Sequence, residues 1–243
     1  MSILLIPIAP LSRTKSRLRD CFSKEQLKEL TLAMFKDLAK KLEKIDIFDQ
    51  KIVYCNSSEI IELANEYGLK GIKEELTTPR KNFDAVIKDL NEIAISKFKA
   101  KETIFIFLDT ILISKNNFYE LYALLKDHQL IVCPAIHSAG ISVLGRNPPD
   151  IIPTFFSEPD TPSLLALLNR ANELNLKIAV YDSFRAGFDI DIKQDLVLAY
   201  EYLKILNLTN TETYKFLKRN LKISLHKRNI RDNRDFELRE LEL

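Results

Sequence analysis

The sequence predicts an α/β protein in which helices cover both faces of a mostly parallel, mixed sheet, giving three layers. Three observations support this fold class. Apolar runs of strand length alternate with segments of helical periodicity over the first 135 residues, and this alternation is typical of parallel sheets. The run TIFIFLD is apolar up to its final aspartate, as a central strand covered on both faces requires. After Ala135 the alternation breaks down, which predicts at least one antiparallel strand, ISVLGR.

The elements of the first half follow from periodicity and from capping residues. The strand ILLIPIA comes first, and Ser23 is the expected N-cap of the long helix after it. The strand KIVYC precedes a helix capped by Ser57 or Ser58, and GIKEEL is a short strand. Residues 83–98 are predicted to be helical, TIFIFLD and LIVCPA are strands, and Ser114 caps the helix between those two strands.

The second half continues with ISVLGR, a turn-rich NPPDIIP segment and a helix that starts near Thr161 and Pro162. LKIAVYD is predicted to be a strand and IKQDLVLAYEYLKIL a helix, in which Asp195 is expected to be a surface charge. We expect residues 1–207 to form one domain. Residues 208–243 are predicted to contain one more helix and a charged tail that is solvated or disordered, or that packs on a second subunit.

Composition excludes several classes of protein. Hydrophobic residues make up 46% and charged residues 29% of the chain, which is ordinary for a globular protein. The net charge of +2 gives no reason to expect a nucleic-acid partner. No apolar run is long enough to span a bilayer, and MSILLIPIAP lacks the pattern of a signal peptide. We therefore expect a cytoplasmic protein without a membrane partner.

A basic segment, SRTKSRLRD, follows the first strand. In open α/β sheets, ligands bind beyond the carboxyl ends of the strands. Lys15 and Arg17 combine a point charge and a planar fork, both of which suit phosphate oxygens. The alternative is that they are solvated charges before a helix.

Two further polar clusters carry carboxylates. Asp109 ends the buried strand TIFIFLD, and a carboxylate there is well placed for Mg²⁺, which prefers oxygen ligands and substrate phosphates. Asp189 and Asp191 alternate with apolar residues in GFDIDIKQDL, so both lie on one face of an extended segment. The alternatives are a turn or cap role for Asp109 and an N-cap role for Asp191.

These clusters together predict phosphoryl or nucleotidyl transfer. Asp109 with Asp189 or Asp191 would hold the metal, and Lys15 and Arg17 would hold phosphates. The chain contains only five glycines and matches neither GxGxxG nor GxxxxGK[ST]. Side chains rather than a glycine-rich loop are therefore expected to bind the triphosphate.

Several blocks of the chain resemble the 2-phospho-L-lactate guanylyltransferase family. The matching blocks of this chain are PIAPLSRTKSRLRDCFSKEQL, FIFLDTILI, AGISVLGRNPPD and GFDIDIKQDL, the last of which resembles the family's LDVDTPEDL. These blocks keep the family's order over residues 1–206. The resemblance implies a nucleotidyltransferase fold of the MobA-like or GT-A-like type. It implies an enzyme of coenzyme F-420 biosynthesis that joins 2-phospho-L-lactate, or a related acid such as phosphoenolpyruvate, to GTP with release of pyrophosphate.

The resemblance also implies site residues. Lys15 and Arg17 would contact the GTP phosphates, and Asp109 and Asp189 would bind Mg²⁺, with Asp191 as the adjacent candidate. The resemblance implies Phe83 and Asp84 on the nucleotide side. From the basic segment itself we predict that Arg13, further out, also serves the nucleotide. Three are implied on the acceptor side: Gly140, Ser142 and Ser163. The family also suggests a homodimer.

Departures from the family pattern concern mainly the acceptor side. They include Thr110, Ile111, Ile141, Ser142, Leu164 and Leu167. Arg146, Arg170 and Arg185 are the candidates for a replacement donor. Two alternatives therefore stay open: a nucleotidyltransferase with another phosphorylated acceptor, such as 3-phosphoglycerate, a sugar phosphate or a pterin phosphate, and a nucleotide-binding protein without turnover.

Overall fold

A computed structural model describes residues 1–228 and 236–240, which fall into two compact units. Unit 1 comprises Met1–Pro10 and Leu38–Asp189, and unit 2 comprises Leu11–Asp37 and Ile190–Leu243. This grouping rests on spatial contacts and differs from the division after residue 207, which stays a prediction about domains. No helix in residues 1–228 has the length and apolarity needed to cross a membrane.

In the described part of the chain, unit 1 contains one seven-stranded sheet of order β3-β2-β1-β4-β6-β5-β7. Its strands are β1 Ser2–Pro7, β2 Gln50–Cys55, β3 Lys70–Lys73, β4 Glu102–Ile106, β5 Leu130–Pro134, β6 Ile141–Arg146 and β7 Ile178–Val180. Neighbouring strands are parallel except at β6, which is antiparallel to both β4 and β5. The predicted mixed sheet with an antiparallel ISVLGR strand is confirmed.

Strands β1 and β4 lie in the interior of the sheet, as the sequence predicts. They pair in parallel, with Leu4 opposite Ile104, and every residue of both strands is buried. Because they run in the same direction, their carboxyl ends lie at the same edge of the sheet. The residues that follow β4 are therefore presented at this carboxyl edge.

Helices of unit 1 cover both faces of its sheet. They are α2 Ser58–Glu66, α3 Phe83–Phe98, α4 Lys115–Asp127, α5 Ser163–Glu173 and the short α6 Phe184–Gly187. Helices α3 and α5 pack on the face that carries Ile3 and Leu5. Leu4 and Ile6 point to the other face and are also fully buried. The predicted caps Ser57 and Ser114 are both confirmed.

Unit 2 contains helices and a small antiparallel sheet. Helix α1 spans Lys24–Leu42 and contributes its residues up to Asp37, and it is followed in this unit by α7 Lys193–Ile205, α8 Glu212–Asn220, β8 Ile223–Lys227 and β9 Phe236–Glu240. The predicted helix after residue 208 is confirmed as α8. Within the tail predicted to be solvated or disordered, β8 and β9 pair with each other and remain half-buried to exposed, so these residues are ordered but solvated. The rest of the predicted tail, residues 229–235 and 241–243, lies outside the described residues.

Helix α8 is anchored on α1 within unit 2. The carboxylate of Asp37 accepts the backbone N–H groups of Glu212 and Thr213, both at 2.8 Å. These are amides of the first turn of α8, which have no partner inside the helix. Phe22 and Phe216 meet edge to face, with ring centroids 5.3 Å apart. A charged cap and an aromatic contact therefore fix α8.

Gly187 permits a close approach of two backbone segments in unit 1. A Cβ atom at this position would lie 2.7 Å from the carbonyl oxygen of Pro134 and 3.1 Å from the Ile136 side chain. The Ile136 N–H donates to the Gly187 carbonyl at 2.9 Å. Helix α6 can therefore lie against the end of β5 only without a side chain at this position.

We expect Gly187→Ala to lower the free energy of unfolding by about 1–3 kcal/mol, because backbone atoms must move to admit the methyl group. Thermal and urea unfolding measure this change. Gly140→Ala is the matched control, since its new Cβ would meet chiefly the rotatable Ser138 hydroxyl, at 3.0 Å. Equal losses in the two variants would contradict the close-approach explanation.

Candidate functional site

Asp109 lies in the turn that follows β4, at the carboxyl edge of the sheet. Its side chain is half-buried, and the turn is closed by the Thr110 N–H, which donates to the Phe107 carbonyl at 3.2 Å. The next helix, α4, has its own cap, because the Ser114 hydroxyl accepts the Asn117 N–H at 3.3 Å. Asp109 is therefore not the N-cap of α4, which leaves the turn role as the remaining structural alternative.

Asp189 is the last residue of unit 1 and is also half-buried. Burial raises the pKa of the Cys133 thiol, and the negative charges of Asp182 and Asp189 raise that pKa further. Since Cys133 lies near the carboxyl end of β5, Asp189 acts electrostatically at the same edge of the sheet as Asp109. The raised pKa also keeps Cys133 a neutral thiol, which is a poor metal ligand.

Arg185 joins the chain segments that carry Asp109 and Asp189. Its Nε donates to the carbonyl oxygen of Leu112 at 2.9 Å. It thus ties the residues just after Asp109 to the helix just before Asp189. Lys41 adds a hydrogen bond to the next carbonyl, that of Ile113.

The three arginines considered as replacement donors occupy different environments. Arg185 lies beside the segment after Asp109. Arg170 is on the surface of α5 and pairs with Glu173 at 2.8 Å. Arg146 is buried, with only 4% of its surface exposed. It lies on β6 directly opposite Thr103, near the amino end of β4. Arg185 alone of these three is tied to the segment that follows Asp109.

The predicted nucleotide residues Phe83 and Asp84 begin helix α3. The Phe83 ring is 40% exposed, and its centroid lies 5.8 Å from that of Phe107 and 5.3 Å from that of Phe156. The Asp84 carboxylate accepts the N–H groups of Phe156 and Ser157, at 2.9 and 2.8 Å. Phe83 therefore offers an exposed aromatic surface near the carboxyl end of β4. The Asp84 carboxylate, in contrast, anchors the backbone of the loop at residues 156–157.

The predicted acceptor residues fall into two groups. Gly140 and Ser163 are brought close because the Leu164 N–H donates to the Ala139 carbonyl at 3.2 Å. Ser142 is 1% exposed, and its hydroxyl donates to a β5 carbonyl at 3.1 Å. Its proton is engaged in the sheet, so acceptor binding by this side chain stays a prediction.

In unit 2, the basic segment contacts Asp191, the second of the two alternating aspartates. Lys15 has left-handed backbone angles, φ 48° and ψ 41°, and its ammonium donates to the Ile190 carbonyl and lies 3.6 Å from the Asp191 carboxylate. Arg17 donates to the same carboxylate at 3.0 Å and is 70% exposed. Arg13 is exposed on the preceding turn. Asp191 is the anion beside Lys15 and Arg17 in this structure, and binding of GTP phosphates by these two cations stays a prediction.

Asp195 is a structural residue that the sequence prediction missed. It is 2% exposed, and one carboxylate oxygen accepts the N–H groups of Asp191 and Ile192, both at 2.8 Å. The expectation of a surface charge is wrong, because this position is the third residue of α7 and caps the helix start. The spacing of three residues from Ile192 was the available signal.

Among the described residues, no group of three or more His, Cys, Asp or Glu side chains is arranged to hold a metal ion. Asp109 and Asp189 are two of the carboxylates at the carboxyl edge of unit 1, and Asp182, which follows β7, is another. Mg²⁺ is commonly bound by one or two carboxylates together with waters and substrate phosphates. The oxygen-only donor pair therefore fits Mg²⁺ and does not fit a site for a soft metal.

Comparison with solved structures identifies the fold. A protein from Desulfovibrio desulfuricans named as a candidate nucleotide-diphospho-sugar transferase superposes with a TM-score of 0.73, at 13% identity, over 90% of this chain and 94% of its own. A 4-diphosphocytidyl-2C-methyl-D-erythritol synthase from Anaerococcus prevotii superposes with a TM-score of 0.58, at 11% identity, over 84% and 96% of the two chains. The fold is that of these nucleotidyltransferases.

Sequence comparison identifies the family. The 2-phospho-L-lactate guanylyltransferase of Methanocaldococcus jannaschii is 31% identical over 194 residues, which cover 79% of this chain and 80% of that protein. Its counterpart in Methanocaldococcus fervens is 30% identical over 217 residues, or 88% and 89% of the two chains. A family profile described as "Guanylyl transferase CofC like" matches residues 1–238. The chain therefore belongs to the CofC-like guanylyl transferase family.

Proposed function

We propose that this enzyme joins a phosphorylated three-carbon acid, 2-phospho-L-lactate or a relative such as phosphoenolpyruvate, to GTP and releases pyrophosphate. By its family, the reaction belongs to coenzyme F-420 biosynthesis. The observation that carries the proposal is the similarity, over most of the chain, to relatives named for this activity. Two half-buried carboxylates at the carboxyl edge of the sheet support it.

The reaction needs no catalytic histidine. An oxygen of the acceptor phosphate attacks the α-phosphorus of GTP, a new P–O bond forms, and the bond to the β-phosphate oxygen breaks. A phosphate monoester has its second pKa near 6, so it is largely ionised at neutral pH. His137 stands at a strand end but packs edge to face on Phe188, with centroids 5.5 Å apart. We assign it a structural role.

Asp109 and Asp189 are proposed to hold Mg²⁺, and Asp191 is the adjacent candidate. The bound ion would supply Lewis-acid stabilisation of charge on the transferring phosphoryl group. Asp109 and Asp189 contribute negative charge from a rigid sheet edge, where Arg185 fixes the Leu112 carbonyl. Asp191 pairs with Lys15 and Arg17, so a metal ion there would compete with these two cations.

Lys15 and Arg17 are proposed to bind the GTP triphosphate, with Arg13 further out. A left-handed conformation costs a non-glycine residue roughly 1–2 kcal/mol, and strained backbone of this kind clusters at functional sites. The hydrogen bond from the Lys15 ammonium to the Ile190 carbonyl stabilises this strained backbone conformation. Asp191 serves as the anionic partner of both cations, so phosphate oxygens would compete with its carboxylate.

Phe83 is proposed to stack on the nucleobase, because its ring is 40% exposed and aromatic stacking tolerates any base. Gly140 and Ser163 are proposed to contact the acceptor. The engaged hydroxyl of Ser142 favours a second candidate function, transfer to a different phosphorylated acceptor. A homodimer is proposed from the family resemblance, and light scattering tests it by giving one or two chain masses.

Pyrophosphate release tests the proposed function. The purified enzyme is incubated with Mg²⁺, GTP and one acceptor: 2-phospho-L-lactate, phosphoenolpyruvate, 3-phosphoglycerate or a sugar phosphate. We expect turnover with one of the first two and a product that contains guanosine monophosphate joined to the acid. Turnover only with another acceptor would support the second candidate. GTP binding without turnover on any acceptor would indicate a binding protein.

Asp109→Asn is expected to lower kcat by at least about a hundredfold, because an amide is similar in shape but supplies no charge to the metal. The melting temperature should stay that of the parent. Asp127→Asn, at the exposed end of α4, is the matched control and should keep full activity. Normal turnover of Asp109→Asn with Mg²⁺ would contradict the assignment.

Arg17→Gln is expected to weaken GTP binding by about 1.5–3 kcal/mol, the usual effect of losing a charged hydrogen bond. Calorimetric titration of GTP measures it. Arg19→Gln removes an exposed charge two residues further on and should bind GTP as the parent does. If both variants bind GTP equally well, the basic segment is solvated surface.

Lys15→Met should lower both the affinity for GTP and the melting temperature, since the Lys15 ammonium also donates a hydrogen bond to the Ile190 carbonyl.

A further inference from the structure

Glu74 places a carboxylate at the carboxyl edge of the sheet in unit 1. It directly follows β3, and 7% of its surface is exposed. Its backbone is fixed at both polar groups. The Glu74 N–H donates to the Cys55 carbonyl at 2.8 Å, and the side-chain amide of Asn56 donates to the Glu74 carbonyl at 3.0 Å. These two bonds hold Glu74 against the end of β2.

The Glu74 carboxylate itself has no partner. Across residues 1–228 and 236–240, no group lies within hydrogen-bond or ion-pair distance of its oxygens. Lys81 pairs with Asp89 instead, and Arg80 is exposed and acts on Glu74 through its charge without an ion-pair contact. A buried acceptor without a donor is costly. The side chain of Glu74 therefore indicates a missing donor.

The oxygens of Glu74 remain open to a ligand. In the described part of the chain, the side-chain atoms that are both fully covered and without a hydrogen bond belong to Arg146 and Thr213. The oxygens of Glu74 have no hydrogen bond and are not among these atoms, so each of them keeps contact with solvent. A donor on a ligand can therefore approach both oxygens from outside the protein.

The surroundings of Glu74 suit uncharged N–H donors. Burial raises the pKa of Glu74, while the charges of Arg80 and Lys81 lower it. A carboxylate that is partly removed from water forms stronger hydrogen bonds than one in bulk solvent. The two cations also repel a further cation, so a metal ion or an ammonium group is a poor partner. Neutral N–H groups can bind without this repulsion.

Glu74 and Asp109 lie on opposite sides of the point where the strand order of the sheet reverses. From β1 the chain adds β2 and β3 on one side, whereas β4 lies on the other side of β1. Ligands of open α/β sheets bind at such a point. Three strand spacings of roughly 4.8 Å separate β3 from β4, about 14 Å in all. A nucleotide spans such a distance from its metal-bound phosphate to the far edge of its base.

Guanine matches the vacant carboxylate. Its N1–H and its N2 amino group are adjacent donors on one edge of the base, and the two oxygens of a carboxylate accept both. Adenine presents an acceptor, N1, at the corresponding place, so its lone pair would face the carboxylate. A carboxylate therefore binds guanine and rejects adenine through the same atoms.

We propose that Glu74 selects guanine, by accepting hydrogen bonds from N1–H and the N2 amino group of the base. This inference rests on the proposed function, in which GTP is the nucleotide. Asn56 acts as a positioning residue, because its amide fixes the Glu74 carbonyl. Phe83, proposed to stack on the base, begins the helix from which Asp89 acts on Glu74 through its charge. One base can therefore contact both Phe83 and Glu74.

Calorimetric titration of the parent protein with Mg²⁺ and four nucleotides tests the proposal. The nucleotides are GTP, inosine triphosphate, xanthosine triphosphate and ATP. Hypoxanthine, the base of inosine, lacks the N2 amino group, and xanthine carries an oxygen in its place. We expect GTP to bind at least about tenfold more tightly than each of the others. Equal binding of GTP and inosine triphosphate would overturn the proposal.

Glu74→Gln exchanges one acceptor oxygen for a donor NH₂ of nearly the same shape. GTP affinity should fall at least about tenfold, and affinity for xanthosine triphosphate should rise, because the new amide donates to the xanthine oxygen. The melting temperature should not fall, since an unpaired, partly desolvated charge is removed. Glu75→Gln, at the exposed neighbouring position, is the matched control and should keep the preferences of the parent.

Asn56→Ala provides a second variant, which keeps the carboxylate but frees the Glu74 carbonyl. It should narrow the ratio of GTP to inosine triphosphate affinity even if Glu74→Gln does not fold. An unchanged nucleotide preference in Glu74→Gln, or an equal loss for all four nucleotides, would overturn the proposal while guanylyl transfer still stands. Guanine preference in binding without turnover on any acceptor would instead overturn the proposed function and leave this inference intact.

Discussion

The position of β4 between β1 and β6 is the constraint on which the rest of unit 1 depends. β4 pairs in parallel with β1 and antiparallel with β6, and all its residues are buried. Its two ends therefore meet different surroundings. Asp109 follows the carboxyl end, where ligands bind in open α/β sheets. Arg146 lies beside the amino end, under α3, with part of its hydrogen-bonding capacity unused.

The main strands and most helix caps could be predicted from the sequence because their signals are local. A fully apolar TIFIFLD indicates a doubly covered strand, and a serine before a periodic segment indicates a cap. The pairing of β8 with β9 could not be predicted, since these strands carry many polar and charged residues and pair with each other rather than with the large sheet. Asp195 was misjudged because a residue inside a helical segment can still cap its first turn.

Placement of the site residues was predictable only in part. Asp109 and the basic segment could be predicted because each follows the end of a predicted strand. The chemistry expected of their side chains follows from residue type and position. Asp84 engages a loop 72 residues further along the chain, which no local pattern encodes. Ser142 engages the neighbouring strand nine residues back, and that contact depends on how the two strands pair. Arg185 was one of three equal candidates in the sequence, and its hydrogen bond to the Leu112 carbonyl separates it from Arg146 and Arg170.

Locating the metal in crystals grown with GTP and Mn²⁺ tests the central claim most directly. Mn²⁺ shares the preference of Mg²⁺ for carboxylate and phosphate oxygens and gives an anomalous diffraction signal. We expect one anomalous peak within bonding distance of carboxylate oxygens from both Asp109 and Asp189, next to phosphate oxygens of GTP. Bound GTP with the peak on Asp191 alone, or with no peak at Asp109, would contradict a nucleotidyl-transfer site built on the carboxyl end of β4.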